Sequence, residues 1–400
     1  MGKLVGEEWE DIQAWLPENT DELAFSTGAI QKRRLIRSGS ELLRLVFGYS
    51  LLDFSLRSLA AWMSGLGIHQ ISDVAVLKRL RAAPAFLSAL LQEMLDWRLK
   101  PGKGSMVCKV PFNVRLIDAT VVTEPGSVGT DWRLHVSYNP YLGQIDHVEL
   151  TDKHGGENLS RAHARPGDLL VGDRAYTQCE RILEVLESKA HVLTRMGHSA
   201  IQLFDEAGEQ IDVLAVAKRY CSQNGVTRMI HQKAWIHGRQ EKKAQVRIIM
   251  IRKSKEETER ERRRVNTESR KKGRQPTERT LDAAEFIFLL TTVTEESEVP
   301  CAVMADIYRV RWQIELAFKR LKSLLNLDQL RAKDPDLAKT YLLGKMVAAV
   351  LLETIAADCR DISPWGLPMR GKPMLMEGAE ASVGDCEAGD LWEAPNPESV

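Results

Sequence analysis

Between Ile30 and about Leu99 the apolar positions recur at helical spacing, with Leu35, Leu42, Leu43, Leu51, Leu52, Leu56 and Leu59 marking one-sided faces. This pattern predicts a series of amphipathic helices. Ser72 is placed as an N-cap for the basic stretch that follows it, and the glycine-containing turn within Ser64 to Leu80 fits a helix-turn-helix. After Pro101 and Gly102 the period changes. Val110 to Val122 is β-branched, apolar and free of glycine, as expected of a buried strand. Trp132 to Tyr138 and Ile145 to Leu150 alternate with period two and predict an antiparallel unit with it. A short apolar run ends at Gly172 before a helical stretch around Ile182 to Leu186, and Ala190 to Met196 and Phe286 to Val293 read as two further core strands. Leu337 to Ala357 reads as a long closing helix. The fold class is α/β.

One more helix carries polar chemistry. In the stretch from Tyr308 to Lys322, Ile307, Val310, Ile314, Phe318, Leu321 and Leu325 form an apolar side. At about 100° per residue, Tyr308, Arg311, Glu315 and Lys322 fall within an arc of roughly 60° on another side. A carboxylate set between two cations suits a metal and a phosphate together. The plainer alternative is a solvated face of i, i+4 ion pairs.

Two upstream aspartates stand where a sheet could present them. Asp118 lies inside the apolar strand, where a charge is costly unless it is paired or binds a metal. An ion pair with Arg115 or Arg174 is the competing reading. Asp173 follows the apolar run Leu169 to Val171, at a strand-to-helix junction of the kind where open α/β sheets place their chemistry. It could equally be a helix N-cap.

The spacing Y-x2-R-x3-E-x6-K, preceded by Asp118 and Asp173, resembles the signature of bacterial insertion-sequence transposases of the DDE class, in the branch that cuts DNA through hairpin ends. The resemblance covers roughly residues 25 to 355. It implies a ribonuclease H-like catalytic core holding two Mg2+ or Mn2+ ions, with Asp118, Asp173 and Glu315 as metal ligands and catalytic residues. It implies that Tyr308, Arg311 and Lys322 hold terminal phosphates and that Arg133 and His135, on one face of their strand, lie beside the DNA end. Exposed strand residues are the alternative for that pair. Arg174 is a further phosphate candidate, as are Arg33, Arg34, Arg37, Lys78 and Arg79 in an end-recognition module.

The domain division expected is 1–100 for helical DNA binding, 101–196 with 286–358 for catalysis, 197–285 for a β-rich insertion with a basic loop, and 359–400 for a disordered tail. The partners implied are element-end and target DNA and, on DNA, a second copy of the chain. A transposase-derived protein that binds ends without cutting them is the alternative function.

Charge and cysteines sharpen this picture. The chain is neutral overall, with 55 basic and 55 acidic residues, but 25–120 carries 14 Lys or Arg against 6 acids and 252–280 carries 12 against 6. Local basic patches are the electrostatic mark that matters to a phosphate backbone. The 252–280 segment, with Gly273 and Pro276, reads as a basic loop, an interrupted helix or a solvated linker. The six cysteines form no C-x-x-C pair, which argues against a zinc knuckle or a disulfide framework. No secretion signal and no bilayer-spanning run is read from the chain, so a bacterial cytoplasm is expected.

Overall fold

A computed structural model describes residues 8–67, 70–98, 110–222 and 229–359. The expected tail past residue 359, the boundary near residue 101, and residues 68–69 in the turn of the expected helix-turn-helix lie outside the described residues.

In chain order the elements are α1 (Trp9–Gln13), α2 (Thr20–Ser26), α3 (Gly39–Ser50), α4 (Leu56–Gly65), α5 (Asp73–Ala82), α6 (Pro84–Arg98), β1 (Asn113–Val122), β2 (Trp132–Asn139), β3 (Gln144–Asp152) and β4 (Asp168–Gly172). They continue as α7 (Cys179–Glu187), β5 (His191–Met196), α8 (Val213–Ser222), β6 (Met229–His237), β7 (Lys243–Arg252), α9 (Lys255–Lys271), α10 (Glu278–Ala283), β8 (Phe286–Thr291), α11 (Cys301–Val310), α12 (Trp312–Leu325) and α13 (Pro335–Cys359). The fold is mixed α/β with an eight-stranded sheet in the order β3-β2-β1-β4-β5-β8-β7-β6. The chain divides into two compact units, one with the N-terminal helices, Ala119–Gly156 and the chain from Glu315, the other with the chain up to Asp118 and Glu157–Ile314.

The first unit is built around α13, which packs on α6, α3 and α5. Leu42, Leu43 and Val46 of α3, Leu87 and Leu90 of α6, and Met346, Val347 and Val350 of α13 are fully buried. Each such side chain contributes about 1.5–3 kcal/mol by leaving water. Gly344 permits the close approach, because a Cβ there would lie 2.7 Å from both Ser50 Oγ and Val46 Cγ1. The serine placed by pattern does cap: Ser72 Oγ accepts from the Ala75 amide at 3.2 Å, and Ser38 Oγ, at the start of α3, likewise accepts from the Glu41 amide at 3.0 Å. Lys345 is buried in α13, donating to the Asn326 carbonyl at 2.7 Å and standing 4.1 Å over the Tyr341 ring. Burial pulls its amine down to about 8. By length and composition α13 could cross a membrane, but 67% of that stretch is buried inside the protein, as in the core helix of a globular domain. The expectation that no such run exists is corrected accordingly. Its interior position in the fold accounts for its apolar composition.

The second unit holds the parallel strands. β1 pairs with β4 and β4 with β5 in parallel, and β8, β7 and β6 follow by antiparallel pairing. One face of this sheet is an apolar core of Ile117, Leu170, Val192, Ile248, Phe288 and Leu290, covered by Ile182 and Val185 of α7 and Leu214 and Ala217 of α8. Arg115 and Asp168 are buried together at the start of β1 and β4, 2.8 Å apart, at 0% and 2% exposure. Asn113 Nδ2 and the Arg165 amide also donate to Asp168, at 2.8 and 2.9 Å.

The segment expected as a β-rich insertion is mixed, which corrects that expectation. The hairpin β6–β7 joins β8 in the same sheet, but α8, α9 and α10 account for more residues than the hairpin does. α9 has almost no apolar face, so no hydrophobic period announces it. It is held by a capping box in which the Ser254 amide donates to Glu257 at 2.8 Å and the Glu257 amide to Ser254 Oγ at 3.1 Å. Arg262 ties it to Glu285 at 2.7 Å and the Leu281 carbonyl at 3.2 Å. It ends where Gly273, at φ +65°, lets the Arg274 amide reach back to the Ser269 carbonyl at 2.9 Å.

Candidate active site at the parallel strand ends

The register of three parallel strands sets the geometry. Leu116 pairs with Val171 and Gly172 with Thr194. Carried forward, the first brings Asp118 level with Asp173 and the second brings Asp173 level with Arg195. Neighbouring strands lie about 4.8 Å apart. Side chains paired across a sheet share a face, and alternation places Asp118, Asp173 and Arg195 opposite the apolar core of Ile117, Leu170 and Val192. Two carboxylates and a guanidinium thus stand side by side, Asp173 just past the end of β4, Arg195 near the end of β5 and Asp118 within β1 level with them.

Asp173 keeps its N-cap as well, accepting from the Ala175 amide at 2.8 Å. A carboxylate has a second oxygen to offer, so the capping and metal readings are compatible. Asp118 is half-buried, with the Arg311 guanidinium at 3.7 Å. The competing expectation of an ion pair with Arg115 is corrected: Arg115 points to the opposite face and is bound to Asp168.

α11 packs over this face, against β5 and β6. The apolar positions expected for the signature stretch, Ile307, Val310, Ile314, Phe318, Leu321 and Leu325, are all buried. The single helix expected there is in fact two, because Arg311 is a turn between α11 and α12. The Arg311 amide bonds to the Tyr308 carbonyl at 3.1 Å and the Ile314 amide to the Arg311 carbonyl at 3.2 Å, which is three-residue closure. In that geometry residues i and i+3 eclipse, so Tyr308 and Arg311 stack on one side. Tyr308 is buried rather than solvated, and burial raises its hydroxyl pKa against the opposing pull of Arg311 and Arg195. It is a neutral hydrogen-bonding group at ordinary pH.

Around Asp173 the charge is mainly positive. Arg174 is exposed, and Arg195 is loosely held by Glu261 at 3.9 Å. Burial, then the Arg174 charge, lowers the Arg195 pKa. Lys253 follows β7 and donates to the Ala284 carbonyl at 3.0 Å. Sequence reasoning missed Arg195 and Lys253. The only signal was a cation at each strand end, which means nothing until the register is known.

The remaining candidates lie in the first unit. Glu315 is exposed in the first turn of α12, one turn past Arg311, and Lys322 is half-buried further along it. Arg133 donates to the Gly155 carbonyl at 2.8 Å, and the His135 ring meets Thr151 Oγ1 at 3.0 Å. His135 is buried, so the exposed-strand alternative is corrected for it. Arg34, Lys78 and Arg79 line one cavity of about 370 Å³, uniting two basic runs more than forty residues apart. Arg33 lies over the Phe25 ring instead, and Arg37 is exposed, its amide donating to Glu41 at 2.7 Å.

Oxygen donors of the Asp118 and Asp173 type suit hard divalent cations. A second cluster, His231, Glu296 and Cys301, is less suited. Arg247, fully buried, already neutralises Glu296 at 2.6 Å, and burial pushes the Cys301 thiol up to about 12.

Residues 112–351 match the family described as the transposase DDE domain. The transposase InsL assigned to insertion sequence element IS186A of Escherichia coli K12 is 35% identical over 364 residues, covering 89% of this chain and 96% of that protein. The chain belongs to the DDE transposases. The transposase of insertion sequence element IS421 from Escherichia coli is 34% identical over 365 residues, again spanning 89% and 96% of the two chains. The transposase of element IS231B from Bacillus thuringiensis is more distant, at 25% over 384 residues, 86% of this chain and 78% of that one. Among solved structures, a piggyBac transposase synaptic complex with hairpin DNA is similar at TM-score 0.40 and 9% identity, over 86% of this chain and 72% of that one. As a DDE transposase the protein is a nuclease and strand transferase of an insertion sequence.

Proposed function

We propose that this transposase cuts the ends of its element by metal-dependent phosphoryl transfer at Asp118, Asp173 and Glu315, and joins the freed ends to target DNA. The observation that carries the reading is the register that sets Asp118, within β1, level with Asp173 just past the end of the parallel strand β4, with Arg311 of the signature on Asp118. Asp118 would be shared between two ions, with Asp173 and Glu315 holding one each. When bound, two Mg2+ or Mn2+ ions supply Lewis-acid stabilisation of the attacking and leaving oxygens.

The chain's own groups do the positioning. Arg311 and Lys322 neutralise and orient the terminal phosphate, and the Tyr308 hydroxyl stays protonated to donate to it. Water attacks phosphorus and the element's 3'-oxygen leaves as a hydroxyl. That 3'-hydroxyl then attacks the phosphodiester of the opposite strand, forming the hairpin's new P–O bond as the flanking DNA's 3'-oxygen leaves as a hydroxyl. Water reopens the hairpin before the 3'-hydroxyl attacks target DNA. Arg133 and His135 would steady the end. The cavity of Arg34, Lys78 and Arg79 would grip the backbone in an end-recognition module of residues 1–100, with Arg33 and Arg37 beside it. A ribonuclease H-like core of 101–196 and 286–358 would carry the chemistry, and two copies would act together on DNA in the bacterial cytoplasm.

The test uses a labelled duplex carrying the element's end, taken from DNA flanking the coding region, with Mg2+. Asp118→Ala, Asp173→Ala and Glu315→Ala should each fall below about 1% of wild-type cleavage while end binding is largely kept. Wild-type cleavage in any one of them rejects the assignment. Denaturing gels should show closed ends from wild type, and open ends alone would reject the hairpin step.

A further inference from the structure

The row of side chains on the site face does not stop at Asp173. Arg195 pairs with Leu289, and Leu289 with Ile249, so Arg195 and Ile249 share a face of the sheet. Alternation along β7 carries that face through Ile251 to Lys253, whose amide still bonds to the Glu285 carbonyl at 2.9 Å and so continues the strand. Arg195 therefore lies in one row with Asp118 and Asp173, Lys253 shares their face four residues further along the β7 chain than Ile249, and Arg174 follows Asp173 directly.

Charge in this place is unbalanced. Arg195 is acted on by Arg174 and Arg264, and Lys253 by Arg195 and Arg174. The acids facing them are Asp173 itself, Glu261, which stands 3.9 Å from Arg195 and 4.0 Å from Arg264, Glu268, which holds Arg264 at 3.1 Å, and Glu257, which is already committed to the α9 capping box. Arg195 is only a quarter exposed and Lys253 is half-buried, so solvent relieves the repulsion poorly. The Lys253 amine falls to about 8, first through burial and, against the opposing pull of Glu261, also through Arg195 and Arg174. Like charges held together in a partly dry cleft are stabilised by an anion that bridges them, and a phosphodiester beside two candidate catalytic carboxylates is the anion the chemistry supplies.

We infer that Arg195 and Lys253, together with Arg174, seat a DNA phosphodiester next to Asp173, so that the strand leaving the cleavage point runs across the sheet ends toward α9. This rests on the DNA-cutting role proposed above and extends it to two residues outside the signature. α9, with Arg260, Arg263 and Arg264 among its cations, then continues the track.

The experiment measures binding of an end-bearing duplex by fluorescence anisotropy across a salt series, with Ca2+ present to prevent cutting. Arg195→Gln and Lys253→Met should each weaken binding roughly ten- to hundredfold, and should each lower the salt slope by about 0.9. Duplexes with single neutral methylphosphonate linkages near the cleavage point identify the contact. At one linkage wild type should lose affinity and the double variant should lose nothing further. Should Arg195→Gln fail to fold, Lys253→Met, at a position past the end of β7, decides the matter alone. Variants that keep the wild-type slope and affinity while wild type cuts the duplex overturn this inference and leave the proposed function standing. A wild-type protein that neither binds nor cuts the end overturns the proposed function, and the inference with it.

Discussion

Arg115 and Asp168 fix how β1 lies against β4, and replacing one of them is the sharpest structural perturbation available. The pair sits on the face away from Asp118 and Asp173, with both side chains excluded from water. Asp168→Leu takes the carboxylate from a buried guanidinium and strips acceptors from Asn113 and Arg165. Breaking a buried pair in this way costs about 3–5 kcal/mol, a large share of a typical 5–15 kcal/mol. With a urea slope of about 1–3 kcal/mol/M, the midpoint should fall by at least about 1 M. Arg115→Met with Asp168→Leu removes both charges and should recover most of the loss. Urea unfolding followed by circular dichroism gives the totals, and hydrogen exchange of the Leu169 to Gly172 amides reports the strand itself. A single-variant loss below about 1 kcal/mol, or a double variant no better than the worse single, would show that the pair does not hold these strands.

Other outcomes follow from the same physics. Lys345 has its amine lowered to about 8, so between pH 8 and 10 the unfolded chain binds more protons than the folded one and stability gains with rising pH. Lys253 adds to the gain in the same way, so Lys345→Met should remove up to about 2–3 kcal/mol of it in urea midpoints, and the remainder should persist. Gly344→Ala forces a methyl against Ser50 and Val46 and should cost about 1–3 kcal/mol in the same assay. Ser254→Ala removes the α9 cap and should cost about 1 kcal/mol, seen as faster exchange of the Glu257 amide.

The strands were legible where burial demands apolar runs. β1, β4, β5 and β8 all fall within the segments read as core strands, with Asp118 inside β1 and Asp173 just past the end of β4. The helix carrying the signature was legible only on its apolar side. A helical wheel assumes unbroken four-residue closure, and the turn at Arg311 removes that assumption between Tyr308 and Glu315. Tyr308 was read as part of a polar stripe because a phenol counts as polar in a pattern, yet its ring is core. α9 escaped because caps and ion pairs, not a hydrophobic face, stabilise it. Arg195, Lys253 and the Arg115–Asp168 pair were invisible for a shared reason: each acquires meaning from the partner that strand register supplies, and register is a property of the whole sheet.

The central claim is that three carboxylates distant in sequence hold divalent cations together. Fe2+ in place of Mg2+, with ascorbate and peroxide, cuts a polypeptide close to the bound ion, and the fragments identify the ligand segments. The account predicts cuts around Asp118, Asp173 and Glu315, suppressed by excess Mg2+ and lost in Asp118→Ala. Cuts confined to one of those segments, or gathered instead around His231, Glu296 and Cys301, would contradict it.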